Sequence, residues 1–246
     1  MSPQTLNPSQ VGAFRGTLKA GALYRNQWRS IDANNFRTIT GYASRKFVAG
    51  SDYVALGLMG TSDQAGPGNY QFNQAAFTGA YHKKMGPHVL RGGLQAGLIS
   101  NSINDATFPA QYDNDIGGFN PDLPNQEGRI ASNTAYFDLN TGISWQFSPA
   151  NWQFTVGQAF YHINQPVQGY EWQLAPRFVS HARAQIPLSN AVGLQPSAVF
   201  KQQNQATEFL IGSMVRIGSL GEPLNFRIGS YYRDNLSGYG SRDLTE

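Results

Sequence analysis

Residues 135–147, AYFDLNTGISWQF, alternate apolar and polar side chains without a break. One face carries Ala135, Phe137, Leu139, Thr141, Ile143, Trp145 and Phe147, and the other carries the residues between them. A period of two predicts an extended strand with one apolar and one polar face. The stretch is longer than the ~5–6 residues of an ordinary strand. It is long enough for the ~9–11 residues that a tilted strand needs to cross a bilayer.

The composition of the 246-residue chain favours a surface that partly faces lipid. Charged residues make up 13%, about half of the ~25% typical of soluble proteins. Aromatic residues also reach 13%, and there are 27 glycines. The mean hydropathy of −0.39 agrees with this, because half of each strand in a transmembrane barrel faces a polar interior. No run approaches the ~18 apolar residues of a membrane helix.

Two further features of the composition exclude or disfavour whole classes of function. Cysteine is absent, so there is no disulfide framework, zinc–thiolate site or thiol nucleophile. The formal net charge of +3 comes from basic residues scattered along the strands. Scattered charge of this kind disfavours nucleic-acid binding.

About eleven strand candidates follow one another along the chain, separated by turn residues. They cover residues 17–28, 36–47, 53–60, 70–83, 89–100, 135–147, a stretch that begins at 152, then 174–186, 194–200, 209–217 and 224–232. In the fifth candidate, one face carries Leu90, Leu94 and Leu98, and the other face carries Arg91 and Gln95. The repeated pattern predicts an all-β, antiparallel sheet.

The connections between these strands alternate in length. The predicted long ones are 29–35, 61–69, 101–133, 164–173 and 202–208, and the short ones are 49–52, 85–88, 148–151, 189–191 and 219–223. Outer-membrane barrels have short periplasmic turns and long outer loops. We therefore predict an up-and-down transmembrane β-barrel. A soluble β-sandwich is the alternative architecture.

The two ends of the sequence lead to a separate expectation. Met1-Ser2-Pro3 does not open a secretory signal. An odd number of strands conflicts with the even count of bacterial single-chain barrels. We therefore expect residues 1–246 to be a single barrel domain that lacks its extreme N-terminus and its C-terminal strands.

Several motifs in order resemble the PorP/SprF family, whose members are outer-membrane proteins linked to type IX secretion and gliding motility. The resemblance rests on Leu6-Asn7-Pro8-Ser9, Arg15-Gly16, Tyr24-Arg25-Asn26-Gln27-Trp28, Gly57-Leu58, Asp63-Gln64-Ala65-Gly66, Gly93-Leu94-Gln95-Ala96-Gly97, Gln111-Tyr112-Asp113, Gly118-Phe119, Phe137-Asp138-Leu139-Asn140-Thr141-Gly142, His162-Ile163-Asn164-Gln165-Pro166, Phe178-Val179-Ser180-His181, Gln195-Pro196-Ser197 and Lys201-Gln202. It covers essentially the whole chain. It implies a barrel of about fourteen strands in the complete protein.

The resemblance also implies a function. The chain would be a non-enzymatic component in the outer membrane of a Gram-negative bacterium. It would dock or anchor a secreted type IX substrate or adhesin through that protein's C-terminal domain. The implied partners are this secreted client, other outer-membrane or periplasmic secretion components, and membrane lipid. A porin-like channel for small solutes is the alternative function.

Two segments are candidates for contact with a partner. The first, residues 24–28, is either a docking or lumen-lining patch, or an aromatic girdle residue with a polar network. The second is the long loop, whose acidic residues are Asp105, Asp113, Asp115, Asp122 and Glu127. Its similarity to a calcium loop fails because Gly117 and Pro124 stand at ligand positions. A solvated loop that contacts a partner is the better interpretation.

The remaining polar residues predict no catalytic or metal site. The histidines, His82, His88, His162 and His181, lack the spacing of metal ligands. No nucleophile, base and oxyanion donor come together, and no cofactor motif is present. The basic residues Lys19, Arg25, Arg91, Arg177, Arg183, Lys201, Arg216, Arg227 and Arg233 fall mostly on the polar faces of their strands. They either line an open, anion-selective lumen or pair with polar groups in a closed one.

Overall fold

Within the described residues, eleven antiparallel strands form one sheet, and each of the eleven pairs with the one that follows it in this sheet along the chain. The structure, a computed structural model, describes residues 3–27, 36–65, 70–103, 111–113, 115, 117–120, 134–168, 172–218 and 226–235. The strands, including four short ones outside the main sheet, are β1 (Leu18–Gln27), β2 (Phe36–Ala49), β3 (Asp52–Ala65), β4 (Tyr70–Met85), β5 (His88–Ile103), β6 (Gln111–Asp113), β7 (Gly118–Asn120), β8 (Thr134–Phe147), β9 (Gln153–Tyr161), β10 (Val167–Gln168), β11 (Trp172–Gln173), β12 (Arg177–Pro187), β13 (Val192–Gln203), β14 (Ala206–Ile217) and β15 (Phe226–Asn235). The prediction of an antiparallel, up-and-down, all-β fold is confirmed.

The order of the main sheet is β1-β2-β3-β4-β5-β8-β9-β12-β13-β14-β15. β1 and β15 are its two edges, and no ladder joins them within the described residues. The short strands form two separate hairpins, β6 with β7 and β10 with β11. That residues 1–246 form one domain, and that the complete protein has about fourteen strands, both stay predictions.

Burial in the sheet is the reverse of that in a soluble protein. On β5, Leu94 and Leu98 are 67% and 65% exposed, whereas Gln95 between them is 2% exposed. On β8, Phe137 and Ile143 face outward and Asp138 and Asn140 are buried. In water this arrangement would expose apolar surface and bury polar groups, both of which are unfavourable. In lipid it is the expected one. The alternative of a soluble sandwich around an apolar core is therefore wrong.

The outward apolar surface has the height of a bilayer core. The stretch from Phe137 to Phe147 covers about 26 Å along the membrane normal, at ~3.4 Å per residue and a tilt of about 40°. Aromatic rings gather at its short-turn end, where His88 stacks on Trp145 and Phe147 at 5.7 and 4.8 Å. Phe160 and Phe178 meet nearer the loop end, 5.2 Å apart. These positions are typical of interfacial aromatic girdles.

The strand boundaries differ from the prediction mainly at the loop end. β3 continues to Ala65 and pairs with β4 through Tyr70, so the predicted loop at 61–69 is short. β13 and β14 are joined by two residues, with Asn204 at φ 52°, where the loop 202–208 was predicted. At the loop end, β3, β13 and β14 extend beyond the apolar band. There both faces of the strand carry mostly polar or small side chains, so the alternating pattern ends. The predicted turns at 49–52 and 85–88 are confirmed, with Gly50 and Gly86 at positive φ.

In the part of the chain that the structure describes, helix is confined to the first ten residues. An α-helical turn, α1, covers Pro3–Leu6, and a 3₁₀ helix covers Pro8–Gln10. Asn7 caps the 3₁₀ helix by accepting a hydrogen bond from the N–H of Ser9 at 2.9 Å. Among the residues that the structure describes, no helix is long and apolar enough to span a membrane.

Candidate functional site in the lumen

The N-terminal segment lies inside the sheet, against its polar face. Residues 4–12, which we call the plug, are mostly buried; Asn7 and Ser9 are 0% exposed and Val11 is 1% exposed. The plug touches β4 through His82 and β12 through His181, two strands that are not neighbours in the sheet. The sheet therefore curls around it, and the polar faces of the strands enclose a lumen that the plug fills.

Inward glycines on four strands make room for the plug. A Cβ on Gly57, Gly93 or Gly142 would lie within 3 Å of a plug atom or overlap it. At Gly93 the nearest plug atoms are the backbone of Pro8 and Ser9, which cannot move aside as a side chain can. Gly157 is crowded by His181, the residue that holds Asn7. The glycines on these strands thus serve as a cradle for the N-terminal segment.

Hydrogen bonds attach the plug to four strands, β4, β8, β9 and β12. The Asn7 amide donates to the carbonyl oxygens of Ile143 and Gln158 at 3.1 and 3.0 Å, and lies 3.1 Å from Nε2 of His181. A second set of bonds joins Ser9 and Gln10 to the hydroxyl of Ser144, Val11 O to His82, and Thr5 O to the Tyr161 hydroxyl. Because these groups are buried, breaking one bond leaves its partner unsatisfied.

A lysine holds the chain just after the plug, at the short-turn end. Lys46 on β2 donates to the carbonyl oxygen of Phe14. Its ammonium also lies 4.6 Å from the centre of the Phe14 ring and 5.0 Å from that of Tyr53. These cation–π contacts fix the chain where it leaves the lumen to begin β1.

A network of hydrogen-bonded polar side chains crosses the lumen beside the plug. Gln95 donates to the Thr78 hydroxyl and accepts from Asn140, and Asn140 donates to Asp138, each at 3.0 Å. Asp138 also pairs with Nδ1 of His162 at 2.7 Å. The members come from four elements, and a network of this kind can fix the relative position of strands when every member is satisfied.

Above the plug, at the loop end, the lumen holds a cavity of about 420 Å³. Its walls are rich in aromatic and polar groups, among them Tyr70, Phe72, Tyr136, Tyr161 and Arg177. Its floor includes Thr5 of the plug. The Arg177 guanidinium stands over the Tyr161 ring at 4.4 Å, and its Nε has no partner among the described residues. The cavity can therefore bind a polar or acidic segment that arrives from the loop end.

The structure describes part of each of the two segments that were predicted to contact a partner. Arg25 donates to Gln27 at 2.6 Å and Asn26 to the Tyr24 hydroxyl at 3.3 Å, which agrees with the girdle-and-network interpretation of that patch. Trp28, Asp105, Asp122 and Glu127 lie outside the described residues. Part of the long loop is not irregular, since β6 pairs with β7 through a turn that contains Gly117 at φ 63°.

Each histidine has a separate structural partner. His82 contacts Val11 O and accepts from Nε of Arg91 at 3.1 Å. His181 meets Asn7, His162 meets Asp138, and His88 belongs to the outer aromatic girdle. Among the described residues, no three His, Cys, Asp or Glu side chains come together in a metal-ligating group.

The nine basic residues that were predicted on the polar faces lie on the inward face, and two of those at the loop end share a carboxylate. Lys201 binds Glu208 at 2.9 Å, and Arg233 approaches the same carboxylate at 3.5 Å. Arg91 also binds the Gln146 side chain. These contacts favour the interpretation of pairing in a closed interior. Sequence reasoning missed the plug residues Asn7 and Ser9, although an Asn-Pro-Ser sequence is a typical helix start.

An apolar outer face around a polar lumen filled with side chains is typical of membrane-spanning β-barrels, and this protein is of that class. The chain belongs to the PorP/SprF family: the family model described as type IX secretion system membrane protein PorP/SprF matches residues 1–241. It is therefore a membrane component of type IX secretion, as the sequence motifs implied. The family also implies contact with other components of that system.

The other two comparisons add little to this assignment. No curated protein matches the chain significantly. Among solved structures, the β-domain of the Bordetella autotransporter BrkA is similar, with a TM-score of 0.44 and 11% sequence identity over 89% of each chain.

Proposed function

We propose that this chain is a non-enzymatic component in the outer membrane of a Gram-negative bacterium. It docks or anchors a secreted surface protein, such as an adhesin, through that protein's C-terminal domain. Family membership supports a role in secretion. The observation that carries the docking role is the form of the lumen, which is filled by the plug and holds, at its loop end, a cavity of about 420 Å³ rich in aromatic and polar side chains.

A receptor needs such a cavity, whereas a channel needs a continuous path. The plug is held by buried hydrogen bonds on both sides of the lumen, at His82 and at His181. A segment from outside would enter between the loops and contact Tyr136, Arg177 and Tyr161. Aromatic and arginine side chains are the ones that most often dominate protein–protein binding.

In-cell photo-crosslinking tests this proposal. A photoreactive amino acid at Tyr136, inside the cavity, should crosslink to the C-terminal domain of a secreted protein. The matched control is the same amino acid at Leu98, which faces lipid and is 65% exposed. Crosslinks at both positions, or at neither in cells that secrete normally, would contradict docking in the cavity.

Planar-bilayer conductance tests the porin-like alternative on the same purified protein. The wild-type chain should show no stable open channel, because residues 4–12 fill the lumen. Reproducible conductance without any change to the plug would favour the channel instead.

A further inference from the structure

Charge is distributed unequally between the short-turn end and the loop end of the sheet. The short-turn half of the sheet and the segment leading into it carry Arg15, Lys19, Arg45, Lys46, Lys83, Lys84, Arg91, Arg183, Arg216 and Arg227. Among the described residues of that half, Asp52 is the single carboxylate. It is bound by Lys83 at 3.6 Å and by the Tyr81 hydroxyl at 2.6 Å. The other described carboxylates, such as Asp138 and Glu208, lie toward the loop end.

The basic half contains a polar cavity of about 240 Å³ at the short-turn mouth. Arg15, Arg216, Trp152 and three glutamines, Gln153, Gln185 and Gln195, contribute to its lining. No described carboxylate lines it. Arginine, glutamine and tryptophan side chains supply N–H donors, so the cavity suits a group that accepts hydrogen bonds and carries negative charge.

Two more arginines, outside the lining itself, lie beside lining residues on the inward face. Arg183 precedes Gln185 by two residues on β12, and Arg227 pairs directly across the ladder with Arg216. Arg183 lies within electrostatic range of Arg227 and of Arg91. Among the described residues, no carboxylate pairs with Arg183 or Arg227. Like charges within electrostatic range of one another repel, and an anion placed between them would offset that repulsion.

We propose that this basic vestibule, formed by Arg15, Arg183, Arg216 and Arg227, binds an acidic peptide segment of a periplasmic protein. In outer-membrane barrels the short-turn end faces the periplasm. Charge complementarity of this kind speeds association and selects the partner. The proposal rests on the outer-membrane placement and is independent of client docking at the loop end.

The position of the arginines favours a peptide over a lipid headgroup. Arg183 and Arg227 share the inward face with buried residues such as His181 and Arg216. Lipid phosphates would instead meet Arg45 and Lys83, which are exposed on the outward face. The plug limits how far a ligand can enter, so only a segment that projects into the mouth can reach the vestibule.

Fluorescence anisotropy with labelled hexaglutamate tests the proposal on the full chain in detergent. The wild-type chain should bind hexaglutamate saturably and hexalysine not at all. The double variant Arg183→Gln/Arg227→Gln should weaken hexaglutamate binding at least tenfold. The matched control is Lys201→Gln/Arg233→Gln, which removes the same charge at the loop end, outside both cavities, and should change binding less than twofold. Added salt should weaken binding in the wild-type chain.

Three outcomes would overturn the proposal. Equal losses in the two double variants would mean that net charge alone attracts the peptide. Hexaglutamate binding that is lost when the chain is reconstituted in phosphatidylglycerol nanodiscs, and kept in nanodiscs without anionic lipid, would assign the vestibule to lipid phosphate. Absence of saturable binding would exclude the site. If the Arg183→Gln/Arg227→Gln variant does not fold, Arg227→Gln alone, on the edge strand β15, should still weaken binding severalfold.

Discussion

The backbone nitrogen of Ser9 lies so close to Gly93 that a Cβ at position 93 would stand 2.5 Å from it. Pro8 is equally close, with its carbonyl carbon 2.6 Å from the same point. Both contacts are to backbone, so neither the plug nor the strand can yield by a rotamer change. The absence of a side chain at Gly93 is therefore a condition for the plug to occupy the lumen.

Replacing Gly93 by valine should expel the plug from the lumen. Valine adds three carbons where the Ser9 backbone now lies, and overpacking of this kind destabilises by about 1–3 kcal/mol or more. We expect faster hydrogen exchange in residues 4–12 and channel openings in planar bilayers. Gly92→Val is the matched control on the same strand, because a Cβ there meets nothing within 4 Å. Unchanged protection of the plug in Gly93→Val would contradict this account.

Asn7 should be the residue that contributes most to holding the plug. Asn7→Ala removes its hydrogen bonds to Ile143 O, Gln158 O and the Ser9 N–H. At about 1 kcal/mol each, these bonds sum to about 3 kcal/mol of local stability. Hydrogen exchange of residues 4–12 should accelerate by about a hundredfold, measured by mass spectrometry. Asn7→Ser keeps a capping oxygen and should recover about 1 kcal/mol. Equal exchange in the alanine and serine variants would show that the cap contributes nothing.

The Asp138–His162 pair should couple the loop after β9 to β8. Asp138 is 1% exposed and accepts from both His162 and Asn140. Asp138→Asn should lower the unfolding free energy by about 1–3 kcal/mol, because it leaves buried donors unpaired. Thermal unfolding in detergent measures the loss. Asp234→Asn, on the edge strand β15, removes the same charge and should have little effect.

A double-mutant cycle isolates the pair itself. If the two side chains interact directly, Asp138→Asn and His162→Gln should be non-additive by at least about 0.5 kcal/mol. Additive losses would mean that the carboxylate acts only through Asn140.

The strands could be predicted from the sequence because lipid and lumen impose opposite preferences on successive residues. Leu94 and Gln95 are adjacent, yet one is 67% exposed and the other 2%. Where successive residues no longer differ in polarity, the pattern cannot predict how far a strand extends. Residues 61–65 of β3 are polar or small on both faces, so the sequence gives no sign that the ladder to β4 continues there.

The plug could not be predicted in the same way. Residues 4–12 have no apolar period, and their burial arises from contacts with strands far away in the sequence, from Val11 with His82 to Asn7 with His181. The glycines of the cradle were visible in the sequence, and Gly93 and Gly142 lay within the family motifs. Their role appears only when the sheet curls and brings them around one segment.

A charge on the outward face should be tolerated only near the membrane boundary. Leu94→Arg puts a guanidinium at mid-strand on β5, where the penalty at the bilayer midplane is about 2–4 kcal/mol. Leu188→Arg makes the same change in the turn after β12, where Leu188 is 63% exposed and the penalty is about 0–1 kcal/mol. Unfolding by guanidinium chloride in phospholipid vesicles, followed by tryptophan fluorescence, measures the loss of stability in each variant. Equal destabilisation by the two arginines would mean that lipid does not cover the outer face of these strands.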